Sequence, residues 1–69
     1  MKLTARNTLK GKVTQVVPGT VNSEVTLEIA PGIEIVGIVS KASAERLALA
    51  EGKEAYAVVK ASNVMFAVE

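Results

Sequence analysis

A segment in which apolar and polar side chains alternate, bounded by two Pro-Gly pairs, constrains the fold of this sequence more than any other feature. The alternation runs from residue 23 to residue 29 and has the two-residue period of a strand with one buried face. Its apolar positions are Val25, Leu27 and Ile29. Pro18-Gly19 and Pro31-Gly32 flank the segment. A Pro-Gly dipeptide favours a turn because proline presets φ and glycine accepts a positive φ. The sequence therefore predicts a strand between two turns.

Similar patterns predict four more strands and one helix. The other strands are expected at residues 10–17, 33–39, 54–60 and 64–68. Segment 33–39 has apolar residues on both faces, which predicts burial on both sides. Between residues 40 and 50 the apolar period becomes helical, with Ser40 or Ser43 as the N-cap and Gly52 as the stop. This order of elements predicts an all-β chain with one short helix, folded as a small five-stranded OB-like barrel.

The small size of the chain limits the core that it can build. A domain of about this length buries only roughly 60% of the surface that its unfolded chain exposes. The 69 residues include no cysteine and no histidine, so disulfides and a structural zinc site are ruled out as reinforcement. At the same time, 49% of the residues are hydrophobic. We therefore expect the subunit of a symmetric oligomer, with part of its apolar surface between subunits.

Charge and hydropathy argue against several classes of function. Eight Lys or Arg and seven Asp or Glu give a net charge of +1, which provides no long-range field for nucleic acid or an acidic membrane. The apolar runs are far shorter than the ~20 residues that span a bilayer, and no signal-like run follows the N-terminus. A soluble cytoplasmic protein is predicted. Because the chain has no histidine and no cysteine nucleophile, it is not expected to be an enzyme.

Two polar segments interrupt the strand-like chain and together predict an anion site. They are Thr4-Ala5-Arg6-Asn7 and Lys60-Ala61-Ser62-Asn63, and each combines one fixed cation with hydroxyl or amide donors. Arginine and lysine can neutralise an anion from two directions. The small residues Ala5 and Ala61 allow backbone N–H groups to approach a ligand. Neither segment contains a carboxylate, which would repel the anion.

Each of these residues also has a purely structural interpretation. An isolated Arg6 or Lys60 is more often a solvated surface residue than a ligand. Ser40 is more often a helix N-cap than a ligand contact, and Ser62 can simply close a turn. Asn7 is expected to bond the backbone where the first strand bends. It is the order and spacing of the whole set that favours a binding site.

The order of the segments resembles that of the molybdate-binding Mop proteins, also called molbindins, which consist of a TOBE-type Mop domain. In that family a Ser/Thr-Ala-Arg-Asn start, a hydroxyl residue after the central strand and a Val-Lys-Ala-Ser-x-Val finish recur. The corresponding segments here are Thr4-Ala5-Arg6-Asn7, Leu9-Lys10-Gly11-Lys12-Val13, Ile38-Val39-Ser40 and residues 58–65. The resemblance covers essentially all of residues 1–69, and it implies a single Mop domain with an OB-type barrel.

The resemblance also implies a function. Molbindins are hexamers built as trimers of dimers that hold oxyanions between subunits, which implies binding, storage and homeostasis of molybdate or tungstate. No organic cofactor and no direct protein–metal ligand are implied. The implied oxyanion-binding residues are Thr4, Ala5, Arg6, Ser40, Lys60, Ala61 and Ser62. The first three come from one chain and the others from its neighbour. The family also has a second class of site on symmetry axes, and the resemblance implies that the loop at residues 19–23 contributes backbone N–H groups to it.

Two other functions stay open at this point. OB barrels often bind single-stranded nucleic acid through stacking aromatic side chains in a basic groove, but Tyr56 and Phe66 are the only aromatic residues in this sequence. The barrel could instead be an assembly module without oxyanion storage. Only the storage function predicts that the protein takes up molybdate, so a measurement of molybdate uptake distinguishes it from both alternatives.

Overall fold

The computed structural model, which describes residues 1–2 and 4–69, contains one curled antiparallel sheet and one short helix. The elements are β1 (Asn7–Pro18), β2 (Asn22–Ala30), β3 (Ile33–Ser40), α1 (Lys41–Arg46), β4 (Glu54–Val59) and a 3-10 turn (Ala61–Asn63). The order of the strands in the sheet is β3-β2-β1-β4. The predicted class, all-β with one short helix, is confirmed.

Strand β1 pairs with a different neighbour along each half of its length. From Asn7 to Lys12 it pairs with β4, and from Lys12 to Pro18 it pairs with β2. The register with β2 shifts between Val13 and Gln15. A bulge of this kind bends a strand and increases its twist. The bend lets β1 belong to both halves of the sheet, so the sheet curls instead of staying flat.

The interior of the curl is small. Val13 is 1% exposed, and Leu27 and Ala44 are the other buried apolar residues in the described part of the chain. A Cβ added at Gly11 would overlap the backbone carbonyl of Glu28, so β1 and β2 approach closely where β1 bends. The core is therefore as limited as the length of the chain predicts.

Helix α1 is shorter than predicted and ends at Arg46 instead of continuing to residue 50. Ala48 has a φ of +52°, a left-handed conformation that cannot continue a right-handed helix. The N–H of Leu49 then donates to the carbonyl of Ala44 at 3.0 Å, which is the long bond of a Schellman motif. The predicted stop at Gly52 is wrong because the reversal falls on an alanine. In the part of the chain that the structure describes, no helix is long and apolar enough to cross a membrane.

The predicted strand at residues 64–68 is not formed, and the described residues form four strands. Met65, Phe66 and Val68 are 92%, 93% and 97% exposed. A strand needs a neighbouring strand for its backbone hydrogen bonds. This segment leaves the sheet through the 3-10 turn and meets neither edge of it, so a five-stranded barrel is not completed within the single chain.

Strand β3 lies at an edge of the sheet, and the predicted burial of both its faces is wrong. Ile33, Val36 and Ile38 are exposed, whereas Ile35 and Val39 are half-buried. One face of β3 lines the inside of the curl, but within the described residues no second layer covers the other face. An edge strand with exposed apolar side chains is typical of a surface that pairs with another chain.

Candidate functional site

The two polar segments lie side by side at one end of the sheet. Asn7, the first residue of β1, pairs with Val59, the last residue of β4. Because the pair is antiparallel, the chain that enters β1 and the chain that leaves β4 are neighbours. The Asn7 side chain joins them further, since its Nδ2 donates to the Val59 carbonyl at 3.2 Å. This bond confirms that Asn7 bonds the backbone, but it does so at the start of β1 and not where that strand bends.

These segments line an open groove of about 670 Å³. The lining residues are Thr4, Ala5, Arg6, Val58, Lys60, Ala61, Ser62 and Asn63. The groove therefore combines two cations, two hydroxyl groups and one carboxamide without a carboxylate. All the predicted site residues except Ser40 are brought together within one chain. A division of the two segments between chains, as the resemblance implies, is not required for them to meet.

The groove presents positive charge to solvent. Arg6 and Lys60 are both exposed, and within residues 1–2 and 4–69 neither forms an ion pair. The ion pair that is present joins Lys10 to Glu54 at 3.3 Å, on the surface and outside the groove lining. Unpaired cations beside neutral donors form strong charge-assisted hydrogen bonds with an incoming anion. The site is therefore suited to an anion.

The 3-10 turn shapes one wall of the groove. The N–H of Asn63 donates to the carbonyl of Lys60 at 2.9 Å, and the N–H of Val64 donates to that of Ala61 at 3.3 Å. The N–H groups of Ala61 and Ser62 come before these bonds and donate to no group among the described residues. These two N–H groups add backbone donors to the wall of the groove. This agrees with the prediction that the small side chain of Ala61 lets a ligand approach the backbone.

Ser40 lies away from the groove. It pairs with Asn22 near the Pro18 end of β1, whereas the groove lies at the Asn7 end. Its hydroxyl accepts the N–H of Ser43 at 3.0 Å and donates to the Ser43 hydroxyl at 2.8 Å. Ser40 is thus the N-cap of α1 in this chain, and it does not line the same groove as the other predicted residues.

Two residues that line the groove, Val58 and Asn63, were not among the predicted oxyanion-binding residues. Asn63 directly follows Ser62, so its carboxamide was visible in the sequence as one more polar group of the same segment. Val58 is 45% exposed on β4, and nothing in a valine signals a polar site. Residues 19–23, which were predicted as a loop, form the connection from β1 to β2 and the first two residues of β2. The Gly19 N–H donates to the Asn22 carbonyl at 2.8 Å, and none of these residues lines the groove. Among the described residues, no group of three or more His, Cys, Asp and Glu side chains could hold a metal ion.

Comparison with known proteins defines the class. The profile of the TOBE domain family matches residues 3–66, and the chain belongs to this family. It is 48% identical, over the full length of both chains, to a probable molybdenum-pterin-binding protein of Haemophilus influenzae. It is 51% identical over 65 residues to molybdenum-pterin-binding protein 2 of Clostridium pasteurianum, which covers 94% of this chain and 96% of the relative.

Solved structures agree with this assignment. MopII of Clostridium pasteurianum superposes with a TM-score of 0.91 at 48% identity, covering 97% of this chain and 100% of that one. The cytoplasmic molybdate-binding protein ModG, in a form with molybdate bound, superposes with a TM-score of 0.90 at 46% identity. That match covers 94% of this chain and 46% of ModG. The resemblance to Mop proteins is confirmed.

Proposed function

We propose that this protein binds molybdate or tungstate in the groove and stores the oxyanion inside the cell for homeostasis. The observation that carries the proposal is that residues from both ends of the sequence meet in one groove containing Arg6, Lys60 and no carboxylate. The proposal is supported by relatives named molybdenum-pterin-binding proteins and by the similarity to ModG, a molybdate-binding protein.

The donor set of the groove fits a fully deprotonated tetrahedral oxyanion. Molybdate and tungstate are dianions whose four oxygens act as hydrogen-bond acceptors, so they need donors and positive charge. Arg6 and Lys60 supply the charge, and Thr4 and Ser62 supply hydroxyl groups. Phosphate at neutral pH usually carries a proton and would favour a carboxylate acceptor, which this groove lacks. We therefore expect the site to prefer molybdate and tungstate over phosphate.

Assembly is part of the proposal. The polar side chains of the groove are exposed, so in a single chain a bound anion would face water on one side. A neighbouring subunit that covers the groove would lower the local dielectric and strengthen each charge pair. We propose a hexamer arranged as a trimer of dimers, in which a neighbour supplies Ser40 to the site and five strands complete each barrel. Ligand binding would then stabilise the assembly.

The proposed role is binding and not catalysis. The oxyanion is held by hydrogen bonds and charge, with no organic cofactor in the proposal. Single-stranded nucleic acid is less well supported, because neither Tyr56 nor Phe66 lines the groove. A stacking platform needs aromatic side chains beside the cationic residues.

The first experiment is native mass spectrometry of the protein with molybdate and, as a control, with sulfate. We expect a hexamer that takes up several molybdate ions and few or no sulfate ions. A protein that takes up neither anion would contradict oxyanion storage and would favour the assembly module. Uptake of sulfate at the same level would contradict selectivity for molybdate and tungstate.

Substitutions then test the groove itself. Arg6→Ala and Lys60→Ala should each weaken molybdate binding by more than about tenfold, since each removes a charge-assisted contact. Arg46→Ala and Lys12→Ala are the matched controls, because each removes the same kind of charge outside the groove lining. Isothermal titration calorimetry measures the affinities. Equal losses in the groove variants and the controls would show that only overall charge matters.

Ser40→Asp tests the contribution of a neighbouring subunit. Aspartate is as good an N-cap as serine, so the helix should keep its cap while a negative charge is added. If a neighbour places Ser40 beside the bound oxyanion, the affinity for molybdate should fall by about tenfold while the free energy of unfolding stays nearly constant. An unchanged affinity would remove Ser40 from the site.

A further inference from the structure

A cavity of about 280 Å³ lies between α1 and the strands β1 and β2, and we call it the helix pocket. Its walls come from these three elements and from the segment that follows α1. Val16, Pro18 and Ser23 place the pocket near the Pro18 end of β1, whereas the groove lies at the Asn7 end. No described residue lines both cavities. The helix pocket therefore lies outside the proposed function.

Small side chains on one face of α1 leave this space open. Lys41, Ala44 and Glu45 are three or four positions apart, so they share one face of the helix, and all three line the pocket. Ala44 is 6% exposed, which means that the helix packs on the sheet through a methyl group. Val16 and Leu49 extend the apolar walls. A ligand with a small apolar body can be held by these walls.

One polar group faces this apolar interior. Ser23 is 2% exposed and lines the pocket. Its hydroxyl forms no hydrogen bond with any described residue. In the same part of the chain, however, no fully enclosed side-chain N or O atom lacks a partner, so the Ser23 hydroxyl must reach open space, and it does so in the pocket. A nearly buried hydroxyl without a protein partner calls for a ligand atom or a water.

Two opposite charges stand at the opening of the pocket. Lys41 and Glu45 both line it and are both exposed to solvent. Within the described residues they form no ion pair, either with each other or with another group. A lysine four positions before a glutamate is the less favourable order for pairing along a helix. The opening therefore presents a separate cation and anion, which suits a ligand that carries one charge of each sign.

We propose that the helix pocket binds a small zwitterion of the amino-acid class whose side chain combines an apolar part with one hydroxyl group. The carboxylate of the ligand pairs with Lys41, and its ammonium group pairs with Glu45. The apolar part lies against Ala44, and the hydroxyl bonds that of Ser23. A bare oxyanion such as molybdate does not fit, because Glu45 repels it and the apolar walls offer it no donors. The helix pocket and the groove therefore take different ligands.

The probe is L-threonine, and L-valine is its matched control. The two amino acids have nearly the same shape and differ by a hydroxyl in place of a methyl group. We expect millimolar affinity, because exposed charge pairs contribute little. Threonine should bind about fivefold more tightly than valine, which is the effect of one net hydrogen bond. Chemical-shift changes in the NMR spectrum of the protein measure both constants and identify the residues affected.

Two results of this titration would overturn the proposal. One is the absence of shifts at the residues of the helix pocket up to the solubility limit of threonine. The other is a site that binds valine as tightly as threonine, since the Ser23 hydroxyl would then have no role in binding.

Ser23→Ala separates the hydroxyl from the shape of the pocket. It removes the unpartnered group, so the preference for threonine over valine should fall from about fivefold to less than about twofold. Thr20→Ala is the matched control, because it removes an exposed hydroxyl that does not line the pocket. It should keep the full preference. A preference that survives Ser23→Ala would refute the contact with Ser23.

The two charges are tested on the protein and on the ligand. Lys41→Gln and Glu45→Gln should each weaken threonine binding by about threefold to fivefold, whereas Arg46→Gln, on the same helix but outside the lining, should not. Threonine methyl ester lacks the carboxylate, and N-acetylthreonine lacks the ammonium group. Both should bind the wild-type protein more weakly than threonine. Equal affinity of either derivative would contradict recognition of a zwitterion.

The two proposals can fail separately. A protein that binds threonine but takes up no molybdate in native mass spectrometry would contradict the proposed function and leave the helix pocket intact. A protein that takes up molybdate but shows no shifts with threonine would contradict the assignment of the helix pocket and leave the groove intact.

Discussion

The absence of a carboxylate from the groove lining leads to a quantitative prediction for Ser62→Asp. Ser62 is exposed in an open groove, so the introduced carboxylate acts on a bound dianion mainly through water. At a separation of about 5 Å and a dielectric constant of about 80, a single negative charge repels a dianion by about 1.7 kcal/mol. At low ionic strength this corresponds to roughly a tenfold loss of molybdate affinity.

Ser62→Asn is the matched control because it changes the size of the side chain in the same way without adding charge. We expect it to lose less than about threefold in affinity. Isothermal titration calorimetry at two salt concentrations separates the effects. With a Debye length of about 3 Å at 1 M salt, the loss caused by Ser62→Asp should shrink to about twofold, whereas the loss caused by Ser62→Asn should not change.

Phosphate extends the same test. A protonated phosphate can donate a hydrogen bond to the introduced carboxylate, so Ser62→Asp should weaken phosphate binding less than molybdate binding. Equal losses for both anions would refute the idea that the groove selects against phosphate because it lacks a carboxylate acceptor. Equal losses for Ser62→Asp and Ser62→Asn at low salt would refute the electrostatic reasoning as a whole.

Three further predictions concern stability, measured by urea denaturation. Asn7→Ala should lower the free energy of unfolding by about 1 kcal/mol and weaken molybdate binding, because it removes the hydrogen bond that joins the two groove segments; unchanged stability would show that this bond contributes nothing. Gly11→Ala should cost about 2–3 kcal/mol because its Cβ would overlap a backbone carbonyl, and Gly37→Ala, which meets nothing, should cost much less. Ala48→Gly should stabilise the protein by about 1 kcal/mol by relieving a positive φ, and a loss of stability would contradict that explanation.

The strands were predictable from the sequence because their signals are local. Side-chain alternation and Pro-Gly turns located β2 and β3 to within a residue or two at each end. The end of α1 was not predictable in the same way. Its reversal depends on a left-handed alanine, a residue type that carries no such signal, whereas Gly52 does carry one and also has a positive φ. The backbone hydrogen bonds around Ala48, and not the type of residue, determine where this helix ends.

The sequence predicted which residues belong to the candidate site, but it did not predict where in the fold they meet. Arg6 and Lys60 were selected from their segments, yet their proximity depends on the pairing of Asn7 with Val59, which no local pattern reveals. The sequence allowed Ser40 to be either an oxyanion-binding residue or a helix N-cap. In the single chain it is the N-cap of α1. The strand at residues 64–68 was predicted from a correct apolar pattern. That pattern indicates what the segment can pair with, but it does not indicate which chain supplies the partner.

The hydrogen bond between Asn7 and Val59 has a consequence for how the protein is made. It joins residues 52 positions apart, at the start of the first strand and the end of the last one. During synthesis the N-terminal half of the groove is translated well before Lys60. A nascent chain that stops before β4 therefore has only one of the two cations and no partner strand to hold it. On the proposed function, the groove would bind an anion only once β4 has been made and has paired with β1, so ligand binding would report that the four-stranded sheet has been assembled.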